Sequence, residues 1–360
     1  MESNGVLRRI EGSLHLEAFG TSAHEEECRK AAHALTDDGF AVFHDPRVDF
    51  ERCKRFMRMM QRFFLLPDEE RRACRRKEYY HQAGFTPQEA ELPGAIAAKT
   101  TDRVVASIPE SQKPTPVTGQ DKKMRFMINI GPRPTEMTGK YPSLDGAPQV
   151  VPDGFPEWLE VAEPWGEQLR DAGILLLEMA MIGLGHHDHY RLFTEILERG
   201  YNLLAPTGSE LTEDGVGPGT VFAGVHKDSS LLTVHPRATH PGLFAWDRTL
   251  RRRRIPVPDD CLLAQGGRQL EVISGGVFWR GPHEVVCFED LMPLIDAARR
   301  AGTRVMRVAS PAFLRTATGY VVCPAGPFRT PEALADPEYQ PEESGERLMA
   351  GLRRRGLGCD

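Results

Sequence analysis

The chain has 360 residues, 40% hydrophobic and 27% charged, which is enough to bury a sizeable core in one large domain or two ordinary ones. A net charge of -6 is mild for that length and gives no reason to expect nucleic acid or an anionic membrane as partner. The seven cysteines (Cys28, Cys53, Cys74, Cys261, Cys287, Cys323 and Cys359) stand singly and in odd number, which argues against a disulfide framework.

The opening MESNGVLRRIEG has no apolar stretch after its arginines, so it does not read as a secretory signal. The most apolar segment, Ile174 to Leu184, is about half a membrane span and contains Glu178, so no membrane crossing is expected and the cytoplasm is the default location. His24 to Thr36 has helical spacing and is stopped by Asp37-Asp38-Gly39. Phe40 to Phe43 is a strand candidate. Asp49 to Leu66 is a second helix whose Phe56, Met57, Met60, Phe63 and Phe64 form a core stripe, ended by Pro67, after which Asp68-Glu69-Glu70 starts another. Residues 85 to 120 read as irregular loop, Met124 to Ile130 as a strand, Phe155 to Leu184 as a long helix with a break near Pro164, and Tyr190 to Glu198 as a helix ended by Gly200.

From Tyr201 the period changes. Short apolar runs at 221–223, 231–234, 243–246, 261–264, 270–273, 283–288, 305–308 and 320–323 are punctuated by Gly, Pro and Asp, with one helix at 289–301. So many short strands predict a barrel or sandwich fed by a helical N-terminal part. Arg251 to Arg254 is expected at the solvated tip of a hairpin, and the His-rich turn at 186–189 at the surface between two helices.

The most informative segment is Gly224-Val-His226-Lys-Asp228. On a strand, His226 and Asp228 point to one face. A second imidazole would complete a two-histidine, one-carboxylate set that leaves one side of a metal open. His283 lies 57 residues on, past several predicted strands, where a barrel brings it back. Alone, His-x-Asp is usually a surface pair. Arg307, if it faces inward, needs an anionic partner such as a carboxylate-bearing cosubstrate; from spacing alone a surface arginine is the default. Gly215-Val-Gly217-Pro-Gly219 lacks the Lys-Ser/Thr end of a phosphate loop, and Ser229 and Ser230 have no nucleophile elbow.

The order of these motifs resembles the isopenicillin N synthase-like family of Fe(II)- and 2-oxoglutarate-dependent dioxygenases, over roughly residues 25 to 350. The resemblance rests on Asp38-Gly-Phe-Ala-Val-Phe, Phe63-Phe-Leu-Leu-Pro-Asp-Glu-Glu, Ala83-Gly-Phe-Thr-Pro, the His226/Asp228 pair, Ile255-Pro-Val-Pro, Gly266 to Gly276, His283, and Arg307 with Phe313. It implies a mainly β fold with a helical N-terminal region and a double-stranded β-helix (jelly-roll) core. Residues 1–150 would be the helical dioxygenase region and 151–360 the long helix plus catalytic core, together one compact unit. It implies iron on His226, Asp228 and His283, and 2-oxoglutarate held through Arg307, with Asn202 and Ser310 nearby. Three departures stand out. Ala309 replaces the serine of Arg-x-Ser, with Ser310 one place later. No tyrosine stands in Asn202-Leu-Leu-Ala-Pro206, and a longer segment separates His283 from Arg307.

The implied activity is oxidation of an unactivated C–H of a small molecule (hydroxylation, desaturation or cyclisation) using Fe(II), O2 and 2-oxoglutarate. Phe222, Trp246, Trp279 and Arg280, and also Arg125, are substrate-pocket candidates. An iron oxidase that needs no 2-oxoglutarate, and a non-catalytic metal-binding regulator, are the competing functions.

Overall fold

The computed structural model describes residues 9–92, 103–117, 119–133 and 140–358. Cys359 and residues 93–102 of the expected loop lie outside them. The strands are β1 (Arg9–Glu11), β2 (Phe40–His44), β3 (Gly84–Thr86), β4 (Met124–Asn129), β5 (Leu203–Leu204), β6 (Thr207–Glu210), β7 (Val221–His226) and β8 (Leu232–Pro236). They continue with β9 (Leu243–Trp246), β10 (Arg252–Arg254), β11 (Leu262–Gly266), β12 (His283–Val286), β13 (Met306–Ala309), β14 (Ala312–Leu314), β15 (Val321–Val322) and β16 (Glu342–Glu343). The main helices are α1 (Ser22–His33), α2 (Phe50–Leu65), α3 (Trp158–Gly183), α4 (Arg268–Ile273), α5 (Met292–Arg300) and α6 (Ser344–Arg354).

The strands form a ten-stranded sheet in the order β1-β2-β11-β8-β14-β5-β4-β6-β13, with β3 on β4, and a four-stranded sheet β10-β9-β12-β7. Apart from the parallel β1–β2 pair, the ladders are antiparallel. The result is a mixed helical and sheet protein in which helices back the larger sheet.

Strand alternation gives that sheet its two faces. Leu232 and Val234 of β8, Met306 and Val308 of β13, and Ala312 and Leu314 of β14 belong to the main hydrophobic core. Their neighbours Thr233, His235, Arg307, Ala309 and Phe313 line a cavity on the other side. Helix α3 covers the core face, and Gly173 sets how closely it docks. A Cβ there would stand 2.6 Å from Leu314 and 2.9 Å from Val234. Helix α2 starts at Asp49, whose carboxylate accepts from the backbone N–H of Glu51 at 2.9 Å. Its Phe/Met stripe is buried, and Phe63 meets Phe126 edge-to-face at 5.0 Å between ring centroids. α3 runs unbroken through Pro164.

Two sequence expectations change. The run 270–273 is the end of helix α4 rather than a strand; Leu270, Val272 and Ile273 are buried, and Gln269 accepts from the Thr316 N–H. The arginines 252–254 are a paired edge strand rather than a solvated tip. Arg252 is bonded to buried Glu284, Arg253 to Asp38 at 2.7 Å, and Arg254 to Asp290 at 2.8 Å. The turn His187–His189 is exposed, as its sequence suggests. No helix among the described residues is long and apolar enough to cross a membrane.

Candidate metal centre

His226 is the last residue of β7, and Asp228 follows in the loop that leads to β8. That loop is pinned from outside. The Asp228 carbonyl accepts from the Arg268 N–H at 2.9 Å and from Arg280 Nε at 2.7 Å, while the Arg280 guanidinium also reaches the Lys227 carbonyl. β12 pairs antiparallel with β7 and sets His283 directly opposite His226, with ring centroids 4.3 Å apart. Both Nε2 atoms turn to the same carboxylate oxygen of Asp228, His226 at 3.9 Å and His283 at 3.8 Å. One ligand atom from each of the three residues lies within 4.8 Å of the others.

The outer contacts of these groups favour metal binding. Nδ1 of His226 donates to the Gly224 carbonyl at 2.7 Å, and Nδ1 of His283 to the Gly281 carbonyl at 3.4 Å. A carbonyl only accepts, so each proton sits on Nδ1 and each Nε2 lone pair faces the centre. The second Asp228 oxygen accepts from the Thr233 hydroxyl at 2.5 Å. Burial, then the charge of His283, pushes the His226 imidazole well below its ordinary value. Burial alone would raise the Asp228 carboxyl, but the two imidazoles, the Thr233 hydroxyl and Arg280 outweigh it and hold it low. The set is therefore a His226 imidazole held neutral, a second imidazole with its Nε2 on the same point, and one carboxylate, a donor chemistry that fits a divalent transition metal and suits iron.

A cavity of about 110 Å³ runs from these three residues between the two sheets. Arg307 of β13 lies along it, 7% exposed, its Nε donating to the Pro241 carbonyl at 3.3 Å. Among the described residues no carboxylate pairs with it, and burial pushes its pKa down to about 10. A buried guanidinium beside a cavity and without a counter-ion fits an anionic ligand.

Phe222 also lines this cavity, and Arg125 lines both it and a larger one of about 280 Å³ that shares His226 and Asp228. Arg280 borders the larger cavity while holding the Asp228 loop. The other candidates lie elsewhere. The Ser310 hydroxyl is fully buried and accepts from Trp165 Nε1 at 2.9 Å. Asn202 is engaged by the backbone, donating to the Leu197 carbonyl and accepting from the Arg315 N–H. Trp246 is fully buried and donates to the Gln112 carbonyl at 2.7 Å. Trp279 packs over Gly39 and under Arg248. None of these four lines either cavity.

Sequence reasoning missed the polar wall of the smaller cavity: Thr207, Ser209, Thr233, His235 and Gln265. Ser209 stands directly across from Arg307 in the β13–β6 ladder. It also missed Lys123 and Arg315. Strand alternation was the available signal, because Arg315 lies two residues beyond Phe313 with buried Leu314 between them.

Residues 13–125 match a family model described as the N-terminal domain of non-haem dioxygenases in morphine synthesis. No curated protein matches the sequence significantly. Among solved structures, a 2OG-Fe(II) oxygenase family protein from Caulobacter crescentus aligns with a TM-score of 0.72 at 21% identity, covering 97% of this chain and 98% of that one. A full-length Neurospora crassa protein, solved in complex with alpha-KG and thymine, aligns with a TM-score of 0.71 at 17% identity, covering 98% of each chain. A dioxygenase for auxin oxidation from rice aligns at 0.61 and 16% identity, covering 97% of each. The fold is that of the non-haem Fe(II) dioxygenases. With the N-terminal match, it bears out the resemblance carried by the motifs, to the isopenicillin N synthase-like 2-oxoglutarate–Fe(II) oxygenases.

Proposed function

We propose that the protein is an Fe(II)- and 2-oxoglutarate-dependent oxygenase that oxidises an unactivated C–H of a small molecule. His226, Asp228 and His283 hold the iron, and Arg307 receives the distal carboxylate of 2-oxoglutarate. The two facing sheets form the double-stranded β-helix core, drawn mostly from region 151–360, with β1 to β4 of region 1–150 joining the larger sheet. The observation that carries the reading is the sharing of one cavity by three converging metal donors and a buried cation with no carboxylate partner among the described residues. An iron oxidase that used no 2-oxoglutarate would leave Arg307 without a counter-ion.

Bound Fe(II) would supply activation of O2, with 2-oxoglutarate as the co-reductant that becomes succinate and CO2. The chain itself supplies position. The two Nδ1–H bonds fix both imidazole planes, Thr233 orients the carboxylate, and the pinned loop keeps Asp228 beside the histidines. Both cavities adjoin these donors, so small molecules could reach the metal that His226, Asp228 and His283 would hold. Phe222, Leu243 and Val285 give the smaller cavity apolar walls that exclude water from Arg307 and strengthen its pairing with a carboxylate.

Anaerobic Fe(II) and 2-oxoglutarate should together produce a visible charge-transfer band, and O2 should then yield succinate. A band-free protein that releases no succinate defeats the proposal.

A further inference from the structure

The larger cavity, of about 280 Å³, lies near the lower end of ordinary small-molecule pockets. It meets the metal centre at His226 and Asp228, so a molecule seated in it has one end at the reacting position. Its wall carries an unusual charge. Nine of its twenty lining residues are lysine or arginine and three are acidic, although the whole chain is net negative. One of the three acids is Asp228. Asp121 is taken by Lys123 at 2.8 Å. Glu91 is shared by Arg125 at 2.8 Å and Arg355 at 3.0 Å, so one carboxylate faces two guanidiniums.

Arg315 has no acid partner among the described residues. It is 6% exposed, its side chain donates to Gln82 Oε1 at 3.0 Å, and its Nε is buried without any hydrogen-bond partner. The Nε of Arg125 is in the same condition. Those two Nε atoms are enclosed, so what the cavity offers a ligand is positive charge: that of Arg315, which no described acid pairs, and that of Arg125, which shares Glu91. The apolar part of the lining is small: Met127, Phe313 and Leu348.

Resting on the oxygenase reading above, we propose that the substrate of this site is an anion, a small molecule bearing a carboxylate or phosphate. Its charged group sits on Arg315 with Arg125 beside it, and the carbon to be oxidised points to the metal centre. This anion site is separate from the one at Arg307. β13 carries Arg307 to the smaller cavity, whereas Arg315 follows β14 and lines the larger one. The two cationic sites would then divide two anions, cosubstrate and substrate, on either side of the three metal donors. Arg354, exposed on α6 at the rim, extends the positive field outward and favours capture of an anion from solution.

The test is calorimetric titration with three probes of similar shape: benzoate, phenyl phosphate and neutral benzamide. Each is run on the metal-free full chain and on the chain loaded anaerobically with Fe(II) and 2-oxoglutarate. At least one of the two anions should bind in both states, with benzamide at least tenfold weaker. The tighter anion identifies the carboxylate or the phosphate as the preferred group. Arg315→Gln should weaken the anion roughly tenfold or more, as expected for loss of a charge-assisted bond. In the chain loaded with 2-oxoglutarate, which occupies Arg307, the anion should bind as in the free chain. Arg354→Gln, an exposed change that spares the interior, should weaken it slightly and flatten its salt dependence. An unaltered melting temperature establishes that Arg315→Gln has folded; if it unfolds, the Arg354→Gln titration and the benzamide arm decide the question.

Equal binding of benzamide, or anions that bind the free chain but not the 2-oxoglutarate-loaded one, would each overturn the proposal. Failure of the oxygenase reading shows separately, as absence of the charge-transfer band, and leaves the metal-free titration to be read by itself.

Discussion

Replacing Arg307 by methionine separates a functional cation from a structural one, because the two readings predict opposite signs for stability. Arg307 is 7% exposed, its Nε donates to the Pro241 carbonyl, and burial alone lowers its pKa from 12.5 to about 10. A shift of that size corresponds to roughly 3 kcal/mol of unfavourable burial, at 1.36 kcal/mol per unit, and no carboxylate among the described residues offsets it. Methionine has a similar length and no charge, so Arg307→Met should melt no lower than the wild type without cosubstrate, and up to a few degrees higher. With cosubstrate the order should reverse. A ligand at 100 times its Kd stabilises the wild type by about 2.7 kcal/mol, and the variant should lose most of this because a charge-assisted bidentate pair contributes about 1.5–3 kcal/mol. Melting curves with and without 2-oxoglutarate and anaerobic Fe(II), together with titration of the charge-transfer band, give both quantities. The reasoning is refuted if Arg307→Met melts far below the wild type in the free state, or if it binds 2-oxoglutarate as tightly as the wild type.

His226→Ala and His283→Ala should each abolish stoichiometric Fe(II) binding by metal analysis; full occupancy in the double variant would show that the iron sits elsewhere. Asp228→Ala should lower succinate formed per bound iron far more than it lowers iron content, and Asp228→Glu should do nearly the same, since an added methylene breaks the 2.5 Å bond from Thr233; normal turnover per iron in both would remove Asp228 from the site. Gly183→Ala should destabilise the fold by about 2 kcal/mol, although alanine is the better helix former by about 1, because the new Cβ would stand 2.0 Å from the Cys28 carbonyl oxygen; a raised melting temperature would contradict the packing of α1 on α3. Burial, followed by Arg75, pushes the His81 imidazole down to about 4, so the unfolded chain binds the extra proton first. Stability is complete above pH 6.5 and is lost as pH falls from 6.5 towards 4, by up to about 3 kcal/mol, and His81→Asn, which tolerates the φ of 55°, should flatten that slope in pH-dependent melting.

Local sequence determined the elements whose signals are short-range. Asp49 caps α2, whose Phe and Met spacing marks the buried face, and the His-x-Asp spacing at the end of β7 brings two donors close in sequence, although Arg268 and Arg280 hold the Asp228 loop in place. The motif order supplied the third, His283. Tertiary structure decided what depends on partners distant in sequence. The run 270–273 carries apolar residues that suit a strand or a helix, and its helical form is settled by what it packs against and by the Gln269 bond to Thr316. Arg252 to Arg254 became an edge strand because Glu284, Asp38 and Asp290 lie across from them.

The same holds for the site. Ser310 and Asn202 stand next to the right motifs, yet the Ser310 hydroxyl is taken by Trp165 from α3 and the Asn202 amide by neighbouring backbone. Alternation with core Leu232 and Val234 marks the face Thr233 lies on, but that this face and that of Ser209 border a cavity is decided only by the packing of the sheets. Arg315 illustrates the division most clearly. Alternation with Phe313 and Leu314 fixes the face of the strand on which it lies, and that much is legible in the sequence. Its burial arises only because strands from distant parts of the chain and the C-terminal helix close around it, and there the Asp228 charge reaches it without any described acid forming an ion pair with it.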